Sequence, residues 1–423
     1  MGAETFLSEH PFADEQPNSP GGLSKRAVDL PLLVAVIALV IFGLIMMFSA
    51  SWDYSLTEYG SPMYMFEHQL LWLAIGIVAA FVLSRFDYHH WRKLVVPALG
   101  LTILLLIAVL LANEILLGAR RYLFQGSFQP SELAKVVTIL YLSVWLYAKR
   151  QFIHDVTFGL IPLSLILGVV GGLIYQQPDL STAAIVLLLG GLLFFLAGGD
   201  MKQIAILLVI AIAVGWAVVR INPTGHERVA AFIAGLEDPT QASYHVQRSF
   251  EAIVNGGWLG VGIGRGQSKL TGLPVPPTDS IFAVIVEELG VAGATFLVVL
   301  YAVLIWRGLV IARRAPDMLG TLIASGLVIS IGIQAAINMS VMVGLIPFSG
   351  DALPFISAGG SNLISSLASI GILMNISRQK GERTTSDLEE WRTYRAALDL
   401  RGWNRRRRIP RPRRSPRSRN RQT

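Results

Sequence analysis

The chain has 423 residues, of which 53% are hydrophobic and only 15% are charged, and it contains no cysteine. This composition excludes an ordinary soluble domain, and the lack of cysteine excludes disulfides, thiolate nucleophiles and cysteine-ligated metals. The net charge of +7 is concentrated, because residues 401–423 hold eleven arginines and no acid and leave the rest of the chain at −4.

Residues 1–28 are polar and acidic, and Lys25 and Arg26 precede a full-length apolar run. No small-residue cleavage site is suitably placed, so we predict a disordered cytoplasmic arm and not a cleaved signal peptide. The basic segment 379–423 predicts a disordered cytoplasmic tail. It serves either as a tether to anionic lipid headgroups or as a solvated topology anchor, and nothing else in the chain favours nucleic-acid binding.

Ten apolar runs of roughly 17–25 residues predict ten membrane-spanning helices. The fold class is therefore an all-α polytopic membrane protein whose spanning domain covers residues 29–378. The predicted spans are about 29–50, 67–84, 94–113, 131–149, 158–175, 181–198, 202–219, 280–305, 318–344 and 355–377.

The distribution of basic residues predicts the orientation of these spans. Lysines and arginines concentrate in alternate loops, which the positive-inside rule places in the cytoplasm together with both termini; they are Arg85, Arg92, Lys93, Lys149, Arg150, Lys202, Arg307, Arg313 and Arg314. The segment 220–279 becomes one large extracytoplasmic loop. Arg120 and Arg121 fall in a short outer loop against this bias, which points to an anionic ligand at the outer face.

The fourth run begins with Gln129-Pro130-Ser131-Glu132 and continues to Lys135. Pro130 and Ser131 suit a helix N-terminus, with Ser131 as the cap. Glu132 and Lys135 are three residues apart, so they share a helix face and can pair. The pair is either structural or functional, with Lys135 meeting a phosphate that Glu132 helps to orient.

Further carboxylates mark the outer ends of two other runs. Asp179 either caps the sixth span or belongs to a site. Glu287 is offset by roughly 80° from Asp279 around the eighth helix and Glu288 by roughly 180°, so we expect at least one of them to be structural. Asp279 ends the long loop at the mouth of that helix, where it is either a cap or a reactive group. The histidines show no metal-ligand spacing.

Several long motifs follow one another along the chain. Together they resemble the SEDS family, the FtsW/RodA proteins of bacterial division and elongation, and the FtsW branch more than the RodA branch. The motifs that carry the resemblance are Gly118–Tyr122, Gln129–Lys135, Gln177–Leu180, Tyr244–Ser249, Ala252–Gly264, Thr278–Gly290, Asn338, Gly344–Pro347, Leu353–Ser361 and Asn375–Arg378.

The resemblance implies a peptidoglycan glycosyltransferase that polymerises lipid II at the outer face of the bacterial cytoplasmic membrane. It places the catalytic aspartate at Asp279. Substrate contacts are then expected at Arg120, Arg121, Glu132, Lys135, Asp179, Glu287, Ser357, Gly359, Gly360 and Ser361. No cofactor is required, although a divalent cation such as Mg²⁺ is left open. The implied partners are a class B penicillin-binding transpeptidase and other proteins of the divisome or elongasome.

This chain also departs from the family pattern near the catalytic position. A Glu and a His usually precede the Thr-Asp pair, where Val275 and Pro277 stand here, and an aromatic residue usually replaces Ser280. His245 and Arg248 stand where the family has glutamines, and Ala358 where it has tyrosine. These changes keep the carboxylate but argue against a histidine-assisted mechanism.

Two alternatives belong to other functional classes. A lipid II flippase of the same fold would also need ten spans and embedded charges, but transporters bind substrate near the membrane midplane, whereas Asp279 is predicted at the outer face. A non-catalytic scaffold would need no reactive carboxylate.

Overall fold

A computed structural model describes residues 29–112 and 128–379. Within these ranges the regular structure is helical, with no β-strand, which confirms the predicted all-α class. The helices are α1 (Leu30–Tyr59), α2 (Tyr64–Arg85), α3 (Trp91–Ala112), α4 (Pro130–Ala148), α5 (Ile161–Gln176), α6 (Leu180–Leu196), α7 (Met201–Ile221), α8 (Pro223–Glu237), α9 (Tyr244–Gly256), α10 (Ile281–Arg313), α11 (Met318–Met342) and α12 (Gly360–Arg378).

Seven of these helices are long and apolar enough to cross a membrane: α1, α2, α3 with the turn before it, α4, α7, α10 and α11. Two shorter apolar helices, α5 and α6, lie between them. The protein is therefore a multi-pass membrane protein. The count of ten spans and their direction stay predictions, as do the terminal arm and tail, which lie outside the described residues.

The centre of the bundle is formed by α4 and α11, and α7 lies at the edge with only Gln203 buried. Small residues let the helices approach closely, as is usual in lipid. A Cβ added at Gly371 of α12 would lie 2.4 Å from the carbonyl oxygen of Ala80 in α2. One added at Gly190 of α6 would meet Leu167 of α5 at 2.4 Å. Packing thus explains these two glycines, whereas Gly168, Gly172 and Gly191 have open space around them.

Several boundaries differ from the predicted ones, including the end of α10 at Arg313, eight residues past the predicted end of its span at 305. The first helix continues to Tyr59, nine residues past the predicted span, because Gly60 in a left-handed conformation ends it. The segment 220–279 is not a plain loop, since it contains α8 and the strongly amphipathic α9. The last helix begins at Gly360 and not at residue 355, because Phe355 has a φ of 69° that no helix accommodates.

The long helix α10 is interrupted at Gly290, where φ is 68°. Its unpaired backbone groups are satisfied by residues 257–262, which lie against the break. The amides of Val261 and Gly262 donate to the carbonyls of Glu287 and Glu288 at 3.0 and 2.9 Å. In return, the amides of Val291 and Ala292 donate to the carbonyls of Gly257 and Trp258 at 3.0 and 3.1 Å. Residues 257–262 of the loop therefore fix α10 on both sides of its break at Gly290.

The close contact of this loop with α10 requires glycine at position 260. Its φ is 78°, and an added Cβ would lie 2.2 Å from the carbonyl oxygen of Glu288. Gly264 also has a positive φ, 81°, but open space around it. We expect Gly260→Ala to lower the midpoint of thermal unfolding in detergent by several degrees more than Gly264→Ala. Only the backbone strain, about 1 kcal/mol, is common to both. Equal midpoints for the two variants would show that residues 257–262 are not held against α10.

Candidate active site

Asp279 lies half-buried at the end of the long loop, directly before α10. Ser280, the next residue, occupies the N-cap position of α10 and makes no side-chain cap. The choice between a helix cap and a reactive group for Asp279 stays a prediction. The next nine residues of α10, Ile281–Leu289, are almost wholly buried. The backbone that carries Asp279 therefore continues into a well-packed helix.

The segment that connects α11 to α12 fastens the backbone around Asp279. The side-chain amide of Asn338 donates to the carbonyl of Asp279 at 2.9 Å and to that of Asp351 at 2.7 Å. The hydroxyl of Ser357 donates to the carbonyl of Thr278 at 2.6 Å, and the amide of Ala358 donates to the carbonyl of Pro277 at 2.8 Å. Ser357, predicted as a substrate contact, thus supports the loop that carries Asp279 in this structure.

Glycines in the same segment allow close approach. A Cβ added at Gly350 would lie 2.9 Å from Oδ2 of Asp279, and one at Gly360 would lie 2.6 Å from the ring of Trp72. The amide of Gly359 lies 3.4 Å from Oε1 of Gln69 in α2. Gly359 and Gly360 therefore seat the start of α12 on α2, and their predicted substrate contacts stay predictions.

A buried polar cluster lies behind this segment, at the start of α4. Nζ of Lys135 is 2.9 Å from Oε1 of Glu132, with side-chain exposures of 3% and 7%, which confirms the predicted pair. Asn362 of α12 donates to Glu132 at 3.2 Å. The hydroxyl of Ser361 accepts from the backbone amide of Gln129 at 2.8 Å. The cluster thereby joins α4 to the start of α12.

Asp179 caps α6 by accepting from the amide of Thr182 at 3.2 Å. This confirms the cap, one of the two alternatives predicted for Asp179. It also accepts from the side chains of Gln129 and Ser131, each at 3.2 Å. The prediction that Ser131 caps α4 is wrong. Gln129 occupies that position, and the Ser131 hydroxyl is oriented toward Asp179. Asp179 therefore belongs to the same cluster as Glu132 and Lys135.

Glu287 and Glu288 both hold the long loop against α10. Glu287 accepts from the amides of Gln267 and Ser268 at 3.0 and 3.1 Å. Glu288 pairs with Lys269 at 2.6 Å and accepts from Ser49 of α1 at 2.7 Å. The expectation that at least one of them is structural is confirmed. A substrate contact for Glu287 stays a prediction, and its buried oxygens are already used by the protein.

Sequence reasoning did not single out Asp351 or Ser49, and it did not predict the pairing of Lys269 with Glu288. The signal available was a polar residue inside an apolar or glycine-rich stretch, but their partners are distant in sequence. Arg120 and Arg121 lie outside the described residues.

Within residues 29–112 and 128–379, no three His, Asp or Glu side chains come together to hold a metal ion. The buried cluster already contains the Lys135 ammonium among its carboxylates. The residues present therefore do not fit the Mg²⁺ that the sequence left open, and no chemical step is derived through a metal.

An open cavity of about 670 Å³ lies between α1, α2 and the long loop. Its walls are mostly apolar, with polar groups at one place; they are Leu44, Ile45, Phe48, Ser49, Trp52, Asp53, Phe66, Ile263, Gly264 and Lys269. Its shape and lining suit an apolar chain. We name it the α1–α2 groove.

The chain is similar to known proteins in sequence and in fold. The family model described as "Cell cycle protein", which covers FtsW, RodA and SpoVE, matches residues 30–382. The chain belongs to this family.

Two relatives show how far the similarity extends. Stage V sporulation protein E of Bacillus subtilis is 34% identical over 361 residues, which cover 84% of this chain and 98% of the relative. A probable peptidoglycan glycosyltransferase FtsW of Geobacter metallireducens is 36% identical over 361 residues, covering 84% and 96%.

Two solved structures have the same fold. One is a chain from a study of how a peptidoglycan synthase complex coordinates polymerization and crosslinking, with a TM-score of 0.68, 29% identity and coverage of 83% of this chain and 98% of that one. The other is the rod shape determining protein RodA of Thermus thermophilus, with a TM-score of 0.62, 26% identity and coverage of 83% and 97%.

The buried pair Glu132–Lys135 predicts a strongly non-additive effect on stability. Lys135→Met leaves the Glu132 carboxylate buried without its cation, which costs about 3–5 kcal/mol. Adding Glu132→Gln to that variant should restore part of the lost stability, because the uncompensated charge is removed. Unfolding curves of the two single variants, the double variant and the wild type measure this coupling. Additive losses would show that the two charges do not depend on each other.

Proposed function

We propose that this protein is a peptidoglycan glycosyltransferase that polymerises lipid II into glycan strands at the outer face of the bacterial cytoplasmic membrane. The observation that supports it most is the position of Asp279. Its side chain is half-buried at the start of a membrane helix, and its backbone carbonyl accepts from the side-chain amide of Asn338. The names of the similar FtsW proteins point to the same activity.

In the proposed reaction, Asp279 acts as general base. It accepts the proton of the acceptor 4-hydroxyl while that oxygen attacks the anomeric carbon of the donor and the bond to the diphosphate breaks, with inversion. The leaving diphosphate is already a stable anion, so no second carboxyl is needed to protonate it, unlike in glycoside hydrolysis. General base catalysis of this kind contributes about 10²–10⁴-fold.

The diphosphate needs cations near the site. Arg120 and Arg121 are the first candidates, because arginine binds phosphate in a bidentate fashion. Lys135 is 3% exposed and already paired with Glu132. We therefore assign it a supporting role, in which it offsets the negative charge of the cluster behind the diphosphate.

The α1–α2 groove is the candidate site for a polyprenyl chain. Its polar end is formed by Lys269, which pairs with Glu288 of α10. Glu288 lies seven residues after Ile281, which corresponds to roughly 10 Å along the helix axis. An apolar chain in the groove would thus lie deeper than a headgroup beside Asp279.

The polymerised strands need a crosslinking enzyme. The fold match to a chain of a peptidoglycan synthase complex supports such a partner, and we propose a class B penicillin-binding transpeptidase within the divisome or elongasome. The proposed orientation places Asp279 outside and both termini in the cytoplasm.

The rival function is a lipid II flippase. Asp279 stands at the end of a helix, whereas a transporter binds its substrate near the midplane. This position favours the enzyme. Polymerisation of lipid II by the purified protein and translocation of fluorescent lipid II in liposomes, measured side by side, distinguish the two.

Replacement of the proposed base gives a direct prediction. Asp279→Asn keeps the size of the side chain and removes its basicity. We expect the rate of glycan-strand formation from lipid II to fall about 10²-fold or more, with the thermal midpoint changed little.

Glu251→Gln is the matched control for that experiment, because Glu251 is an exposed carboxylate on α9 whose only described ion pair is with Arg248. It should polymerise at the wild-type rate. If Asp279→Asn polymerises as fast as the control, Asp279 is not the base.

A further inference from the structure

Asp351, in the segment between α11 and α12, is a buried carboxyl group that the proposed reaction does not use. Its exposed fraction is 4%, and its Oδ2 atom has no hydrogen-bond partner. A buried ionised carboxylate with an unsatisfied oxygen is unfavourable, so such a group is expected to take up a proton or to move.

The groups around Asp351 make ionisation still less favourable. Asp179, at the start of α6, adds a second carboxylate whose hydrogen bonds are already satisfied. Lys135 of α4, the cation of the described residues that acts on Asp351, is paired with Glu132. Among the described residues, one ammonium therefore faces three carboxyl groups, and one proton is the smallest change that reduces this excess negative charge.

The direction in which the pKa of Asp351 is shifted agrees with this count of charges. Burial raises the pKa of Asp351 to about 7, and the Asp179 carboxylate adds to the rise, while the Lys135 ammonium and the hydroxyls of Ser181 and Ser349 oppose it. An aspartate in an unfolded chain has a pKa of about 3.9.

The backbone at Asp351 is also part of the support of Asp279. The Asn338 amide joins the carbonyls of both residues, at 2.7 and 2.9 Å. The preceding residue, Gly350, lies so close to Asp279 that a Cβ there would be 2.9 Å from its Oδ2. A shift of Asp351 out of its buried position would therefore disturb the backbone against which the Asp279 carboxylate rests.

We propose that Asp351 is a positioning residue that acts through its proton. In its neutral form it stays buried beside Asp179 and holds residues 350–351 against Asp279. Once ionised, it is repelled by Asp179, and the segment loosens. The consequence for catalysis depends on the proposed role of Asp279 as base.

The direction of the pH effect follows from the raised pKa. Between about pH 4 and pH 7 the folded protein keeps a proton that the unfolded chain has lost, so the stability contributed by this site falls as the pH rises through that window. The neutral, buried form therefore predominates below about pH 7 and the ionised form above it. At about pH 8 the ionised form exceeds the neutral one roughly tenfold.

The test uses Asp351→Asn, which keeps the shape and cannot ionise. We compare the ratio of the polymerisation rate at about pH 8 to that at about pH 6 for each purified protein. Relative to the asparagine variant, the wild-type ratio should be lower by up to about tenfold. Glu251→Gln, a surface carboxylate control, should keep the wild-type ratio. Equal ratios for wild type and Asp351→Asn would overturn the proposal.

A second readout does not depend on polymerisation. Because the chain has no cysteine, Ala352→Cys introduces a single thiol next to Asp351, and its labelling rate reports the exposure of the segment. At each pH, the labelling rate of Ala352→Cys is divided by that of the double variant Ala352→Cys/Asp351→Asn. This quotient removes the pH dependence that the thiol has in both proteins. This quotient should be about 1 at pH 6 and rise several-fold above pH 7.

The two readouts separate the possible failures. A quotient that stays flat refutes the positioning role, even if Asp279→Asn abolishes polymerisation. A quotient that rises while Asp279→Asn still polymerises supports the role of Asp351 and refutes Asp279 as base. If Asp351→Asn does not accumulate, Asp351→Ser, which is also neutral and can donate to Asp179, is expected to give the same flat pH response.

Discussion

A charge placed among apolar helices must be compensated within a few ångströms. This requirement determines how the start of α10 and the long loop before it are arranged. Glu288 is compensated by Lys269 of the long loop and by Ser49 of α1. Glu287 is compensated by two backbone amides of that loop. Each of these hydrogen bonds and ion pairs joins different segments of the chain, so the buried charges hold α1, α10 and the long loop together.

The same requirement explains why the loop is ordered around α10. The helix is broken at Gly290, and a broken helix in a membrane exposes backbone groups that lipid cannot satisfy. Residues 257–262 supply the missing partners, and the two glutamates fix the following residues. The end of α10 that carries Asp279 is thus held from one side by the loop and from the other by the segment between α11 and α12.

Part of this arrangement could be predicted from the sequence. The apolar runs predicted the helices, because the length of a membrane span is set by the bilayer. The spacing of Glu132 and Lys135 predicted their pair, since three residues along a helix bring two side chains to one face. The resemblance to the SEDS family singled out Asp279. These features depend on local pattern or on long motifs.

The remainder depends on contacts between distant parts of the chain. Nothing local indicates that Asn338 joins Asp279 to Asp351, that Ser131 turns to Asp179, or that Lys269 reaches Glu288. The break at Gly290 was also missed, because an isolated glycine in an apolar run is more often a packing position. Asp351 lies beside a motif that the resemblance singled out. Its burial, and the lack of a hydrogen-bond partner for its Oδ2 atom, can only be seen in three dimensions.

The central claim is that Asp279 meets the reacting hydroxyl while the polar cluster lies behind the diphosphate. The most direct measurement is a structure of the inactive Asp279→Asn protein with its lipid-linked substrates bound. The account predicts the acceptor hydroxyl within about 2.6–3.2 Å of residue 279, with the diphosphate on the side of Glu132, Lys135 and Asp179. A sugar and diphosphate bound in the α1–α2 groove, away from residue 279, would contradict it.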